Sequence, residues 1–173
     1  VEKYPGKTAD YLRKSHLAEN KGFQKEFYHN FDNSTKKQLV MNEAKIRTLI
    51  IEDEELARRL LRTYLSEYPE LEILGECENG FEGVKTINEL KPDLIFLDIQ
   101  MPKITGFEML ELIDHHPEII FTTAYDQYAL KAFEYNAADY LLKPFSKDRL
   151  HGAMEKVKEK LARLLKMHAN KRE

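Results

Sequence analysis

The chain contains a single cysteine, Cys77, so no disulfide can form within it. A reducing compartment suits such a chain, and we expect a cytoplasmic protein in which Cys77 is a buried structural thiol. No apolar stretch approaches the roughly 20 residues needed to span a bilayer, so we expect no contact with a membrane. The first residues are polar and lack the apolar core of a signal peptide, which argues against secretion.

Charge is distributed unevenly along the 173 residues. Residues 1–40 hold 8 basic and 5 acidic side chains, whereas the remainder holds 19 basic and 25 acidic ones. An acidic globular part repels nucleic acid. We therefore expect DNA binding only through a separate effector domain that lies outside this chain.

Residues 1–44 differ in composition from the rest. They are polar with scattered aromatic side chains, and Met41-Asn42-Glu43 stands just before the first apolar run, as a translation start would. We interpret this segment as an N-terminal extension of unknown role. It is either genuine or contributed by an upstream reading frame or by cloning, and stretches 8–19 and 22–29 could form short helices.

From residue 45 onward, short apolar runs alternate with helical periodicity. The predicted strands are 46–51, 71–77, 93–97, 118–122 and 138–142, and the predicted helices are 54–67, 79–90, 105–114, 127–135 and 147–166. Five such units predict an α/β fold with a doubly wound, five-stranded parallel sheet over residues 45–166 and a C-terminal tail at 167–173. The apolar face of the first helix is predicted to comprise Leu56, Leu60, Leu61, Tyr64 and Leu65.

Acidic side chains end two of the predicted strands. Glu52 and Asp53 follow the first strand, and Asp98 follows the third. Parallel strands bring their carboxyl ends to one edge of the sheet, where ligands bind in such folds. Three carboxylates that close repel one another unless a cation lies among them. With Lys143 at the end of another strand, the pattern predicts a magnesium-dependent site that accepts a phosphoryl group.

Over about residues 45–165 the sequence resembles the receiver domain of two-component response regulators. The resemblance is carried by Ile51-Glu52-Asp53-Glu54, Phe96-Leu97-Asp98-Ile99-Gln100-Met101-Pro102, Gly106, Thr122-Thr123-Ala124 and Tyr140-Leu141-Leu142-Lys143-Pro144-Phe145. Each motif alone is weak, but five in this order at predicted strand ends are specific. The resemblance implies the flavodoxin-like (βα)5 receiver fold.

The resemblance also implies a role for each acidic residue. Asp98 would accept a phosphoryl group from a histidine kinase. Asp53, Asp98 and the backbone carbonyl of Gln100 would bind Mg²⁺, and Glu52 would contact the metal through water. Apart from the resemblance, an acidic pair after a strand is also typical of a helix N-terminus, where it favours the helix dipole.

The remaining motifs would contact the phosphoryl group. Lys143 would place its ammonium on the phosphoryl oxygens, and a cis peptide bond would precede Pro144. Strand alternation lets only one of Thr122 and Thr123 face the site. The family pattern selects Thr123 as the phosphate-binding and switch hydroxyl, with the small Ala124 leaving room for the phosphoryl group.

Tyr140 lies three residues before Lys143, where the family has its switch aromatic. It would turn inward after phosphorylation, although a core tyrosine is the alternative interpretation. The signal would pass to the surface formed by the fourth helix, fifth strand and fifth helix, through which we expect a phosphorylation-linked homodimer.

The segment from Thr123 to Glu134, followed by residues 138–144, looks like the receivers of LytTR-type (LytR/AlgR-like) transcriptional regulators. After Lys143 only about 30 residues remain, mostly one helix. Its apolar stripe has heptad-like spacing, with the first half packing on the sheet and the second half open to pairing with another copy. The stripe comprises Leu150, Met154, Val157, Leu161 and Leu164.

Three other classes of protein share parts of this pattern. A stand-alone receiver would signal by protein–protein contact alone. An FMN-binding protein of the same fold would need a hydroxyl- and glycine-rich loop where this chain has Glu52-Asp53-Glu54-Glu55. A haloacid-dehalogenase-type phosphatase requires a second aspartate two residues after its nucleophile, where this chain has Gln100. We therefore expect no enzymatic turnover.

Overall fold

Five parallel strands form one sheet in the order β2-β1-β3-β4-β5. The computed structural model describes residues 45–170, with side chains for residues 45–163, so the extension at 1–44 lies outside the described residues. The strands are β1 (Ile46–Ile51), β2 (Leu71–Cys77), β3 (Leu94–Asp98), β4 (Glu118–Thr123) and β5 (Asp139–Leu142). The strand order reverses between β1 and β3, so the carboxyl ends of these strands flank the switch point where ligands bind. The predicted fold class is confirmed.

The helices are α1 (Glu55–Leu65), α2 (Gly80–Leu90), α3 (Gly106–Leu110), α4 (Ala129–Glu134) and α5 (Lys147–Asn170), with a 3₁₀ turn at Asp126–Tyr128 before α4. The helix α3 is shorter than predicted. The N–H groups of Glu111 and Leu112 bond to the carbonyls three residues back, which tightens the chain and ends the helix. The helix α5 instead continues past the predicted end at 166. No helix in the described part of the chain is long and apolar enough to cross a membrane.

Side chains alternate along the strands between two core layers. One layer packs against α2 and α3 and includes Leu49, Ile51, Leu97 and Phe121. The other packs against α1 and α5 and includes Ile50, Phe96, Ile120 and Leu141. Because helices cover both faces of the sheet, its central strands are apolar nearly throughout.

Burial confirms the predictions for Cys77 and for the first half of the apolar stripe of α5. Cys77 is 1% exposed, and burial raises the pKa of its thiol to about 11, which makes it an inert structural cysteine. In the stripe of α5, Leu150, Met154 and Val157 are fully buried against the sheet. The side chain of Leu164 lies outside the described residues.

The apolar face predicted for α1 is partly wrong. Leu56 is 79% exposed and Leu60 is 47% exposed, whereas Arg58, Leu61 and Leu65 are buried. These three positions lie three, four and seven residues apart, so they share one face of the helix. The helix therefore turns an arginine, rather than two of its leucines, toward the sheet.

Candidate functional site

Three carboxylates meet at the carboxyl edge of the sheet. Glu52 and Asp53 follow β1, and Asp98 is the last residue of β3. One oxygen from each group lies within 4.8 Å of the others. Glu52 is 1% exposed and Asp98 is 5% exposed, so two of the three negative charges are largely withdrawn from water. The structure thus brings together the acidic residues that the sequence singled out.

Lys143 supplies the positive charge that this cluster requires. Its Nζ lies 2.6 Å from Oε2 of Glu52 and 3.1 Å from Oδ2 of Asp98. Burial alone would lower the pKa of the Lys143 ammonium, but the hydrogen bond that it donates to Glu52 and the charge of Asp98 raise this pKa above its ordinary value. The lysine therefore stays charged. The Lys143–Pro144 peptide bond is cis.

Asp53 has an oxygen without a hydrogen-bond partner. Its Oδ1 is buried and has no hydrogen-bond partner among residues 45–170, and an unsatisfied buried carboxylate oxygen is costly. Burial and then the nearby charge of Asp98 raise the pKa of Asp53 above its ordinary value. An oxygen ligand of this kind beside Asp98 suits a hard divalent cation such as Mg²⁺. The backbone of Gln100 adjoins the cluster, since its N–H donates to Oδ1 of Asp98 at 3.2 Å.

Arg58 braces the loop that carries the acidic pair. Its Nη1 donates to the backbone carbonyls of Glu52 and Asp53 at 2.7 and 3.0 Å. Its Nη2 donates to Oε1 of Glu78 at 2.9 Å, which ties the loop to the end of β2. A buried guanidinium satisfied in this way fixes the backbone of both acidic residues. The sequence reasoning missed Arg58, although its spacing from Leu61 placed it on the buried face.

Gly106 explains how α3 approaches the site so closely. Its N–H bonds to the carbonyl of Ile99 at 2.8 Å, and a Cβ atom at this position would clash with the backbone oxygen of Asp98. Only glycine allows this packing of the helix start against the residue that ends β3.

The two threonines at the end of β4 lie on opposite faces, as alternation requires. Thr122 pairs in register with Asp98 and lines the cavity above it, as does Ala124. Thr123 is buried, and its Oγ1 accepts a hydrogen bond from the N–H of Tyr125 at 3.4 Å. The register thus places Thr122 level with Asp98, and the phosphate-binding and switch role of Thr123 stays a prediction.

The connection from β4 to α4 is tied down at two points. The hydroxyl of Tyr140, a half-buried residue of β5, donates to the backbone carbonyl of Tyr125. The Nε2 of Gln100 donates to the hydroxyl of Tyr128 in the 3₁₀ turn. Gln100, two residues after Asp98, and Tyr140 on β5 thus both hold the connection between β4 and α4.

A cavity of about 490 Å³ opens above the carboxylates. Its floor is formed by Glu52, Asp98, Thr122 and Lys143, and one wall is the exposed part of α1. The opening is large enough for a phosphoryl group together with a hydrated metal ion. Acidic oxygens and one ammonium at its floor suit the transfer of a phosphoryl group to a carboxylate.

The raised pKa of Glu52 predicts how the free energy of unfolding depends on pH in the absence of metal. Burial raises its pKa from 4.5 to about 7, with the charge of Asp98 adding to the rise and the hydrogen bond from Lys143 opposing it. The folded protein therefore keeps a proton between those values that the unfolded chain has released. Glu52 therefore contributes its full share of stability below pH 4.5, and this contribution is lost as pH rises through about 7.

We expect the free energy of unfolding in EDTA to fall across this window by up to about 1.4 kcal/mol per pH unit. Denaturant titrations at a series of pH values measure the slope. Glu52→Gln keeps the volume but cannot titrate, so the difference between the two proteins isolates the contribution of Glu52. Identical slopes in the two proteins would contradict the assignment.

Known proteins share sequence and fold with this chain. A profile of the response regulator receiver domain matches residues 48–155. The transcriptional regulatory protein BtsR of Escherichia coli K12 is 49% identical over 116 residues, which are 66% of this chain and 48% of BtsR. A response regulatory protein of Vibrio cholerae is 49% identical over 125 residues, which are 71% of this chain and 50% of that protein. The chain therefore spans about half the length of the curated relatives it matches.

Solved structures match the same region. The response regulatory domain of MrkE from Klebsiella pneumoniae superposes with a TM-score of 0.62 at 32% identity, covering 68% of this chain and 98% of that one. The response regulator TrrA of Thermotoga maritima, in complex with Mg²⁺ and beryllium fluoride, superposes with a TM-score of 0.57 at 35% identity, covering 64% and 97%.

Proposed function

The chain belongs to the response regulator receiver domain family, and from that premise we propose that Asp98 accepts a phosphoryl group from a histidine kinase. The observation that carries the proposal is the position of Lys143, whose ammonium bridges Glu52 and Asp98 at the floor of the cavity. A receiver needs this arrangement, in which the acceptor carboxylate and a cation for the phosphoryl oxygens lie side by side.

The transfer follows from the chemistry of these groups. An oxygen of Asp98 attacks the phosphorus of a phosphohistidine, the new P–O bond forms as the P–N bond breaks, and the electron pair returns to the imidazole. Lys143 neutralises the phosphoryl oxygens as a compact charge. Asp53, Asp98 and the Gln100 carbonyl would hold Mg²⁺, with Glu52 acting through water. When bound, the cation supplies further charge neutralisation. The domain accepts, holds and loses one phosphoryl group and turns over no substrate.

The surface formed by α4, β5 and α5 would transmit the signal of phosphorylation to a partner. Phosphorylation would draw Thr123 and the β4–α4 connection toward Asp98, and Tyr140 would turn inward and give up its bond to Tyr125. Leu130 and Phe133 on α4 are each 84% exposed, which supports a homodimer through this surface in the phosphorylated state.

The likeness to BtsR, a transcriptional regulatory protein, supports a role in transcription, with this chain as the receiver of a longer regulator. A LytTR-type domain would then bind the DNA. A stand-alone receiver that signals by protein contact is the alternative, and the coding sequence downstream of residue 173 distinguishes the two. We also propose a cytoplasmic location, which suits a chain whose single cysteine is buried.

Intact-mass spectrometry tests the proposed chemistry directly. We expect the protein to gain the mass of one phosphoryl group when it is incubated with acetyl phosphate and Mg²⁺, and to gain none when EDTA replaces the metal. Phosphoramidate serves as a second donor, so that a poor fit of acetyl phosphate is not mistaken for an inert site. A protein that remains unmodified by both donors contradicts the proposal.

A further inference from the structure

Arg58 is buried, unlike the other two arginines of α1. Its side chain is 7% exposed, whereas those of Arg59 and Arg62 are 72% and 59% exposed. Withdrawing a guanidinium from water is costly unless its charge and its donors are satisfied. Even a well-paired buried cation adds little net stability compared with an apolar side chain of similar volume. The burial of this charge therefore calls for a role beyond stability.

The guanidinium of Arg58 joins three parts of the fold. From α1, its Nη1 donates to the backbone carbonyls of Glu52 and Asp53 in the loop after β1. Its Nη2 donates to Oε1 of Glu78 just beyond β2, and its Nε lies 3.6 Å from Oε2 of Glu76 on β2. Within residues 45–163, its hydrogen bonds to the acidic pair go to backbone oxygens only. Arg58 thus fixes the loop and leaves the two carboxylates to other partners.

The charge of Arg58 and its hydrogen bonds would have opposite effects on a metal ion in the acidic cluster. A positive charge repels a divalent cation, so removing the charge alone would tighten Mg²⁺ binding. That charge is balanced by Glu76 and Glu78. The hydrogen bonds instead fix the backbone from which Asp53 places an oxygen near Asp98. Groups that orient metal ligands raise the affinity, because less order has to be created when the ion binds.

We propose that Arg58 is a positioning residue, which raises the affinity of the acidic cluster for Mg²⁺ by fixing the backbone of Glu52 and Asp53. This inference rests on the proposed function, in which Asp53 and Asp98 hold the cation. The planar guanidinium reaches two carbonyls and a carboxylate at once, and a single ammonium does not reproduce that geometry. Loss of the guanidinium therefore weakens Mg²⁺ binding even where the positive charge is kept.

Three substitutions in α1 test this assignment in the full chain. Arg58→Met removes the charge and the donors but keeps a long apolar side chain. Arg58→Lys keeps the charge but not the planar set of donors. Arg62→Met is the matched control, because Arg62 lies one turn further along α1 and pairs with Glu76 but not with the loop after β1. Titration calorimetry at constant ionic strength gives the Mg²⁺ dissociation constant, and the rate of phosphoryl uptake from acetyl phosphate is measured against Mg²⁺ concentration.

We expect the Mg²⁺ dissociation constant to rise about tenfold or more in Arg58→Met, the usual effect of losing a group that orients metal ligands. Arg58→Lys should show a smaller rise, and Arg62→Met none. The Mg²⁺ concentration that half-saturates uptake should rise in parallel, while the rate at saturating Mg²⁺ stays near that of the wild-type protein. A residue that only stabilises the fold would lower the unfolding temperature and leave both Mg²⁺ constants unchanged.

Tighter or unchanged Mg²⁺ binding in Arg58→Met overturns the inference, as does wild-type affinity in Arg58→Lys. If Arg58→Met does not fold, the comparison of Arg58→Lys with the wild-type protein decides alone, at constant charge. A wild-type protein that binds no Mg²⁺ also overturns the inference. One that binds Mg²⁺ but takes up no phosphoryl group overturns the proposed phosphoryl transfer and leaves the role of Arg58 standing, since the dissociation constants are measured without a phosphoryl donor.

Discussion

Asp98→Asn protein will take up no phosphoryl group from acetyl phosphate under conditions in which the wild-type protein is fully modified. The amide keeps the volume of the carboxylate but is not a nucleophile toward phosphorus. Its oxygen can still accept the hydrogen bond that the N–H of Gln100 donates to Asp98 at 3.2 Å. Removing one of three clustered negative charges also relieves repulsion, so we expect the variant to fold. The loss of uptake then reports the chemistry alone.

A matched control is available in the same domain. Asp114→Asn makes the same chemical change at an exposed position before β4 and should leave uptake at the wild-type level. Intact mass measures the stoichiometry of both variants. Full uptake by Asp98→Asn would move the acceptor to another residue, with Glu52 and Asp53 the nearest carboxylates, and peptide mapping would identify it.

The strand ends of this fold are predictable from the sequence because the apolar runs stop where polar or acidic residues begin. The apolar runs of β1 and β2 stop at polar residues, and the structure gives these two strands the predicted bounds. The acidic residues follow β1 and end β3, so the parallel arrangement alone is enough to bring Glu52 and Asp98 together. The candidate site can be predicted from the sequence for this reason, because its position depends on the order of the strands and not on side-chain contacts.

The features that escaped prediction depend on three-dimensional register. Alternation places Thr122 and Thr123 on opposite faces of the sheet, but only the pairing of β4 with β3 shows that Thr122 is in register with Asp98. The burial of Arg58 depends on backbone carbonyls that a periodicity count does not include. The sequence predicts Leu56 and Leu60 in the core because apolar side chains are usually buried. In the structure Arg58 is buried instead, because its guanidinium donates to the backbone carbonyls of the loop after β1.

Lys143→Met should have the second large effect, on both stability and metal binding. The ammonium lies between two carboxylates that are almost fully buried. Removing one partner from a buried charged network typically costs 3–5 kcal/mol, and we expect a loss of about 3 kcal/mol in the free energy of unfolding in EDTA. Some of the cost is relieved because Glu52, which loses its hydrogen bond from Lys143, will hold its proton to higher pH.

Mg²⁺ should then compensate for the missing lysine. The variant presents three carboxylates without an internal cation, so a divalent ion meets less competition and should bind more tightly, most clearly above pH 8 where the proton on Glu52 competes less. The added stability at saturating Mg²⁺ should therefore be larger in Lys143→Met than in the wild-type protein. Phosphoryl uptake should nevertheless fall by about 10²–10³, the usual cost of removing a donor aimed at the charge of a transition state.

Denaturant titrations with EDTA and with Mg²⁺ give the stabilities, and titration calorimetry gives the metal affinity. Lys147→Met is the control, since Lys147 pairs with Glu67 at the exposed start of α5 and should alter none of these quantities. Weaker Mg²⁺ binding in Lys143→Met would show that the lysine orders the carboxylates for the metal instead of competing with it. Tighter binding combined with slower uptake would establish that the same ammonium opposes the cation in the resting site and assists the phosphoryl group during transfer.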